Sequence, residues 1–182
     1  MKSMALQPYS RPKGPREACQ IVPGPLYWPT ITNAQRFATG SAMTDQTCTI
    51  DVRVRYAETD PMGVLHHSRY AVFLEMGRTE LLRKDGVDYR DLEAAGVFFV
   101  VTHLEVRFRS PARYDDVLAI TTRIERVGAA RIDHAYTITE RAGGRRVAEA
   151  ATTLACVDAD GRVQAIPADL LGRMGGRTTS TR

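Results

Sequence analysis

Cysteine is scarce in this chain of 182 residues, with only Cys19, Cys48 and Cys156. An odd number of cysteines without a Cys-x-x-Cys pair argues against a disulfide framework and a cysteine zinc site, and is typical of a reducing cytoplasm. Long apolar runs are also missing, since no stretch approaches the roughly 20 apolar residues that span a bilayer. The sequence therefore predicts a cytoplasmic protein without a membrane span.

Acidic residues are nearly absent from the first 42 positions, where Glu17 is the one carboxylate. Six of the nine prolines lie there too, and no hydrophobic period is visible. We therefore predict that residues 1–42 are a disordered extension, or a segment outside the natural protein with Met43 as its start. A transit peptide stays open as a third interpretation. A flexible polar tail is expected over residues 172–182.

The net charge of +4 is carried by these two ends, because residues 43–171 hold 17 basic and 20 acidic side chains. Nucleic-acid binding needs basic residues clustered on a folded face, so nucleic acid is not expected as a partner. With 43% hydrophobic and 25% charged residues, the chain is typical of globular proteins. Its length indicates one folded domain, which we place at residues 43–171.

Two hydrophobic periods divide this domain. Residues 49–55 alternate apolar and charged side chains, as in a half-buried strand. Residues 68–84 place Tyr70, Leu74, Gly77 and Leu81 on one stripe of a helix, with Ser68 as N-cap and Gly86 as its C-terminal stop. A short helical turn is expected between positions 88 and 95.

From position 97 to 158 the period is two, which indicates four long strands separated by short hairpins. The turn signals are Gly128-Ala129, Gly143-Gly144 and Asp160-Gly161. Leu104, Val106 and Phe108 are expected on a face that is buried. The helix is the only predicted element long enough to cover the sheet. The fold class is therefore α+β, a long central helix wrapped by a curved antiparallel sheet.

The segment before the helix carries the candidate chemistry. It places Asp60 after the first strand, Gly63 in the connecting turn, and His66 and His67 at the helix start. Free backbone N–H groups at a helix N-terminus can hold an oxyanion, a carboxylate can attack or activate water, and an imidazole can orient the reacting groups. Together these groups suit acyl transfer to water. Taken singly, an Asp at the position of Asp60 is more often a turn or cap residue than a catalytic one, and Gly63 could serve only the turn.

The pattern Y-x-x-x-D-x-x-G-V-x-x-H-x-x-Y, from Tyr56 to Tyr70, resembles the signature of the hotdog-fold acyl-CoA thioesterases. It is most similar to the 4-hydroxybenzoyl-CoA thioesterase-like group, including the YbgC-like enzymes. The resemblance covers residues 49–171 and includes the stretch FRSPARYDDVL at 108–118. It implies a hotdog fold, an acyl-CoA substrate, and a homodimer or homotetramer with active sites at the subunit interface.

The resemblance also implies roles for single residues. Asp60 matches the catalytic carboxylate, as nucleophile or general base, and Tyr56 matches a supporting tyrosine. His67 matches a histidine whose backbone N–H points at the thioester carbonyl, with Gly63 as a second candidate for the backbone donors. Met62 and His66 depart from the family pattern, which puts the acyl preference in question more than the reaction.

Other side chains have two interpretations each. Arg107 and Arg109 share a strand face and are candidates for the phosphates of coenzyme A, or form a solvated face. Glu75 is a second carboxylate on the helix, or pairs with Arg78 one turn on. His134 alternates with apolar residues and is expected to be a hydrogen-bonded core histidine. No metal-ligand cluster is visible, and no cofactor is expected.

The sequence favours an acyl-CoA thioesterase that releases a carboxylic acid and free coenzyme A. A hotdog-fold enoyl-thioester hydratase or dehydratase is the first alternative, and Glu75 would then replace Asp60 in importance. The second alternative is a non-catalytic module that binds acyl-CoA or a protein partner.

Overall fold

The computed structural model describes residues 47–174 of the chain. The predicted extension over residues 1–42 lies outside this range, as do residues 175–182 of the predicted tail. Within the described residues, five β-strands and three α-helices follow one another: β1 (Thr47–Arg53), α1 (Arg69–Lys84), α2 (Tyr89–Ala94), β2 (Phe98–Phe108), β3 (Val117–Val127), β4 (Arg131–Glu140), β5 (Arg146–Val157) and α3 (Ala168–Arg173).

The five strands form one antiparallel sheet in the order β1-β3-β4-β5-β2. Strands β3, β4 and β5 are joined by the hairpins that the glycines at 128 and 143–144 predicted. Strand β2 corrects the expectation of consecutive hairpins, because it pairs with β5 at the far edge instead of with β3. The connection over residues 109–116 therefore leads from the β2 edge of the sheet, past β5 and β4, to β3. No Asn-Gly or Gly-Gly turn occurs in it, which is consistent with its longer path.

Helix α1 lies against the sheet with the predicted face. Tyr70, Phe73, Leu74, Gly77 and Leu81 are its buried residues, four of which form the stripe expected from the sequence. The helix ends at Lys84, and the glycine two residues later adopts a left-handed φ of 74° that reverses the chain. The expected α+β architecture, a central helix covered by an antiparallel sheet, is confirmed.

The apolar side of β2 is buried only in part, because Val106 is half-buried against the core as predicted, whereas Leu104 and Phe108 are exposed. Val100, Val101, Leu104 and Phe108 stay exposed in the single chain, because β2 is an edge strand at the margin of the helix-covered face. Phe108 touches the helix only through Tyr70, edge to face, with ring centroids 4.9 Å apart. An edge strand with four exposed apolar side chains is a template for pairing with another chain.

The core consists of two apolar clusters separated by polar side chains. One cluster surrounds Phe73 and Leu118, and the other surrounds Cys156 and Leu170. Between them each of β3, β4 and β5 contributes one buried polar residue, namely Thr122, His134 and Thr152. We call these three residues the polar layer.

Gly77 and Arg78 of α1 face this polar layer. A Cβ at position 77 would overlap the Thr122 hydroxyl oxygen, so only glycine lets the helix approach the sheet this closely. The backbone contact leaves the Thr122 hydroxyl without a hydrogen-bond partner among residues 47–174. The backbone of α1 therefore lies close to the sheet where the core is polar.

The folded body extends further than predicted at its C-terminal end. Helix α3 continues to Arg173, and the side chain of Met174 is buried in the cluster around Leu170. Residues 172–174, which the sequence assigned to the tail, are therefore part of the described structure, and Met174 packs in this cluster. No helix within residues 47–174 is long and apolar enough to cross a membrane.

Candidate active site

The candidate segment forms a tight reversal between β1 and α1. A 3₁₀ helix (Tyr56–Glu58) follows β1, and the chain then pairs with itself through a bridge between Thr59 and Leu65. The Asp60 N–H donates to the Val64 carbonyl at 2.9 Å. This pairing fixes Asp60 at one side of the turn and brings the chain directly to the start of α1.

Asp60 is held by its own turn through one carboxylate oxygen. Its Oδ1 accepts the backbone N–H of Met62 at 2.8 Å and that of Val64 at 3.4 Å. Among residues 47–174 no donor reaches Oδ2, and the residue is half-buried. One oxygen of Asp60 therefore stabilises the turn, and the other has no donor among residues 47–174.

The backbone at the start of α1 supplies a free donor. The N–H groups of Ser68, Arg69 and Tyr70 all donate to acceptors on residues 66 and 67. The N–H of His67 has no acceptor among the described residues. It lies just before a 16-residue helix, where the unpaired N–H groups and the peptide dipoles favour negative charge. This is the arrangement expected for an oxyanion donor.

The two histidines lie in contact, with ring centroids 4.1 Å apart. His66 Nδ1 is 2.8 Å from the Ser68 hydroxyl, which binds this ring instead of capping the helix as predicted. His67 carries an exposed side chain with no polar partner among residues 47–174. His66 is thus fixed by its neighbours, while the imidazole of His67 is free to meet a ligand.

Gly63 has a structural role that the sequence left open. Its φ of 72° lies in the left-handed region, and its N–H donates to the Asp60 carbonyl at 2.9 Å. The Gly63 N–H is therefore engaged in the turn, and His67 keeps the free donor.

The connection over residues 109–116 meets the candidate segment, which sequence reasoning missed. Leu65 donates its N–H to the Ala112 carbonyl at 2.8 Å, and Val64 forms a bridge with Arg113. The ring of Tyr114 consequently stands edge to face with the ring of Tyr56, at a centroid distance of 5.7 Å. The one sequence signal for this contact was the Arg-Tyr dipeptide that occurs at 55–56 and again at 113–114.

Arg107 and Arg109 both bind carboxylates of the protein. Arg107 Nε lies 2.7 Å from Glu105, and Arg109 binds one oxygen of Glu149 through Nη2 at 2.7 Å and Nε at 3.1 Å. Hydrogen bonds from Arg109 and Arg146 lower the pKa of the Glu149 carboxyl below its ordinary value. Among residues 47–174 neither Arg107 nor Arg109 bonds to the candidate segment.

Two further candidates have structural surroundings. Glu75 forms an ion pair with Arg78 at 3.1 Å, as the second interpretation of this carboxylate expected. His134 is buried in the core as predicted, but its Nδ1 has no hydrogen-bond partner among residues 47–174. Burial lowers the pKa of His134 to about 4, and the positive charge of Arg78 acts in the same direction. The negative charge of Asp133 opposes this shift. No group of three or more potential metal ligands occurs within residues 47–174.

Comparison with known proteins identifies the family. The family model described as the Thioesterase-like superfamily matches residues 54–174. The putative acyl-CoA thioesterase YneP of Bacillus subtilis is 34% identical over 108 residues, which cover 59% of this chain and 78% of that protein. The acyl-CoA thioester hydrolase YbgC of Escherichia coli O157:H7 is 45% identical over 73 residues, 40% of this chain. That match spans about half of YbgC, 54% of its length.

A solved structure agrees with this result. A hypothetical protein, TT1821 of Thermus thermophilus, is 39% identical and superposes with a TM-score of 0.66, covering 71% of this chain and 95% of that one. The names of these relatives favour thioester hydrolysis over both alternatives raised by the sequence, and the hotdog fold is confirmed. Because the family model matches well over half of its length and the fold is the expected one, the chain belongs to the thioesterase-like superfamily.

Proposed function

We propose that this thioester hydrolase cleaves acyl-CoA esters at the turn that joins β1 to α1. One observation carries the proposal: Asp60 has one oxygen fixed by its turn and one oxygen free, seven residues before the unpaired N–H of His67. A carboxylate and an oxyanion donor on one short, hydrogen-bonded segment are the two groups that acyl transfer to water requires.

The carbonyl oxygen of the thioester binds at the His67 N–H, which stabilises the negative charge that develops there. The free oxygen of Asp60 then accepts a proton from water, whose oxygen attacks the carbonyl carbon, or attacks that carbon itself. In the first route the tetrahedral intermediate collapses directly. In the second, an acyl-Asp60 anhydride forms and is hydrolysed by water.

Both routes break the carbon–sulfur bond, consume one water molecule, and release the carboxylic acid and the thiol of coenzyme A. The exposed imidazole of His67 is close in the chain to both reacting groups, so it orients the ester and supplies a proton to the leaving sulfur. Tyr56, four residues before Asp60, supports the site. Since Met62 is exposed beside Asp60, it contacts the substrate and contributes to the acyl preference.

The active form is a homodimer, either alone or within a homotetramer. The support for this is the edge of the sheet formed by β2, where four apolar side chains are exposed in the single chain. Pairing of two β2 edges would bury these side chains and satisfy the free backbone groups of both strands. Light scattering after size-exclusion chromatography measures the mass, and Leu104→Lys is expected to shift it toward the monomer.

We place the protein in the cytoplasm. Cys48 and Cys156 are free thiols, and burial raises the pKa of Cys156 above its ordinary value, which keeps this thiol protonated. Two unpaired cysteines in the described part of the chain suit a reducing compartment.

The test compares wild type with Asp60→Asn on a panel of aliphatic, branched and aromatic acyl-CoAs, measuring thiol release. Asparagine keeps an oxygen that can accept from Met62 and Val64 but cannot accept the proton or attack. We expect kcat to fall at least 100-fold while the melting temperature stays within a few degrees.

The matched control is Asp51→Asn, which removes a different surface carboxylate, paired with Arg141 at 2.7 Å. It should retain wild-type kcat. Retention of most activity by Asp60→Asn, or no hydrolysis of any ester by wild type, contradicts the proposal. Loss of the double bond from an enoyl-CoA without thiol release would identify the hydratase alternative instead.

A further inference from the structure

A second pair of arginines is better placed for an anionic ligand than Arg107 and Arg109. Arg55 and Arg113 are exposed and form no ion pair among residues 47–174. Each directly precedes one tyrosine of the edge-to-face pair beside the candidate active site. An unpaired guanidinium can bind a phosphate without first giving up a carboxylate.

The two tyrosines form an unusual exposed surface. Tyr56 is 79% exposed and Tyr114 is 58% exposed, although their rings touch each other. An edge-to-face contact at 84° leaves a ring face open toward solvent, which is the part of a tyrosine that stacks on a planar base. Open aromatic rings, each preceded in the chain by an arginine without an ion pair among residues 47–174, suit a ligand that is both aromatic and anionic.

Tyr114 is held firmly by the connection on which it lies. Asp115 adopts a φ of 72°, which is rare for a residue with a side chain. Arg53 stabilises it through two hydrogen bonds, to the Asp115 carboxylate at 2.9 Å and to its carbonyl at 3.1 Å. The residue before Tyr114 is held as well, because the backbone N–H of Arg113 donates to the Asp116 carboxylate at 2.8 Å. The backbone around this ring is therefore fixed in advance of binding.

The same connection is tied to the turn that carries Asp60. The hydrogen bond from Leu65 to Ala112 and the bridge between Val64 and Arg113 join the two chain segments. A ligand resting on Tyr114 therefore lies at a distance from Asp60 that is set by backbone hydrogen bonds. In a coenzyme A ester, the pantetheine arm separates the thioester from an aromatic base and its phosphates, so the two ends need two linked sites.

We propose that Arg55, Arg113 and Tyr114 bind the nucleotide end of the coenzyme A ester, beside Tyr56, which stays assigned to the reacting end. The Tyr114 ring stacks on adenine, and the two guanidinium groups bind the phosphates of the nucleotide. Arg69, Arg90 and Arg126 also lack ion pairs among the described residues, but none adjoins an exposed tyrosine. The inference rests on the proposed hydrolysis of acyl-CoA, and it replaces Arg107 and Arg109 as the phosphate ligands.

The test compares two substrates with the same acyl group, an acyl-CoA and the acyl-pantetheine that lacks the nucleotide. Arg113→Gln and Tyr114→Leu are each expected to raise KM for the acyl-CoA about tenfold, with kcat within twofold of wild type. KM for the acyl-pantetheine should not change. Tyr114→Phe keeps the ring and should restore the wild-type KM, and Arg90→Gln serves as the control for loss of an unpaired surface arginine.

Equal effects of Arg113→Gln on both substrates would overturn the proposal, because the residue would then act on the reacting end or on the fold. A raised KM in Arg107→Gln or Arg109→Gln, with none in Arg113→Gln, would overturn it in favour of the β2 arginines.

Binding of adenosine 3′,5′-bisphosphate, measured by calorimetry, is a readout that does not depend on hydrolysis. Wild type should bind it, and Arg113→Gln should bind it about tenfold more weakly. If no ester is hydrolysed but this difference is seen, the proposed function fails and the nucleotide site stands. If esters are hydrolysed and wild type does not bind this nucleotide, the nucleotide site fails and the proposed function stands.

Discussion

Helix α1 is surrounded by polar groups at its start and at its middle, and the two regions are organised in opposite ways. At the start, Asp60 and His67 keep exposed or half-buried groups that are positioned by backbone hydrogen bonds. At the middle, the polar layer is buried, and both Thr122 and His134 hold an atom without a partner among residues 47–174. Positioning polar groups near water costs little free energy, whereas buried polar groups without a hydrogen-bond partner reduce stability.

This contrast predicts a separation of effects. Substitutions at the start of α1 should change the rate of thioester hydrolysis and leave the free energy of unfolding unchanged. Substitutions in the polar layer should do the reverse.

The largest effect is expected from removing the His67 N–H. His67→Pro deletes this donor, whereas His67→Ala removes only the imidazole. Loss of an oxyanion donor typically lowers kcat about 100- to 1000-fold, so proline should be far more damaging than alanine. Steady-state kinetics with melting temperatures checks this, and equal activity of the two variants would place the oxyanion elsewhere.

Acid should destabilise the protein through His134. Its folded pKa of about 4 lies below the unfolded value of 6.5, so the unfolded chain binds more protons as the pH falls. The stability supplied by the neutral imidazole is complete above pH 6.5 and is lost as the pH falls toward 4, about 3 kcal/mol in all. Arg78 and Asp133 are the charged groups whose effects this value already includes.

The measurement is urea unfolding at pH 7 and pH 4 for wild type and His134→Gln, which cannot titrate. The variant should lose less stability between these pH values. An identical loss would mean that other groups account for the acid sensitivity.

Gly77→Ala should destabilise the protein by about 1–2 kcal/mol, because its Cβ would overlap the Thr122 hydroxyl. The next contacts of that Cβ, Ile120 Cγ2 at 3.4 Å and Thr122 Cβ at 3.6 Å, are tolerable. In a Thr122→Ala background the same substitution should become neutral or stabilising, since alanine favours helix over glycine. Denaturant unfolding of wild type, Gly77→Ala, Thr122→Ala and the double variant measures the coupling between the two substitutions. Additive changes in the free energy of unfolding would refute the close approach.

Glu75→Gln should have the smallest effect. Its ion pair with Arg78 joins an exposed carboxylate to a residue one turn on, and such pairs contribute at most about 0.5 kcal/mol. Thioester hydrolysis should stay within twofold of wild type. A large loss of rate would bring back the catalytic interpretation of this carboxylate.

The sequence predicted the features that depend on short-range patterns. The helical stripe, the hairpins joining β3, β4 and β5, and the turn between Asp60 and the helix all lie within a few residues of their signals. The far position of β2 has no such signal, because alternation tells which side chains share a face and not which strand is the neighbour. The exposure of Leu104 and Phe108 follows from that position.

Which arginines form ion pairs could not be predicted from the sequence for a similar reason. Arg107 and Arg113 look alike in the sequence, but Glu105 on the same strand binds the first, while the second forms no ion pair among residues 47–174. The contact between Tyr56 and Tyr114 joins residues 58 positions apart and depends on the crossing connection. Residue type indicated the chemistry, and only the fold decided which copies of each residue could perform it.

The glycine at position 77 also has a geometric consequence for the site ten residues earlier. Where a helix carries side chains all round, it can rotate or slide on its sheet by small rearrangements of those side chains. Here the backbone itself rests on the hydroxyl of Thr122, and any rotation of α1 would bring a neighbouring side chain into that space. The direction in which the first N–H groups of the helix point is thereby fixed by a residue that never meets the substrate.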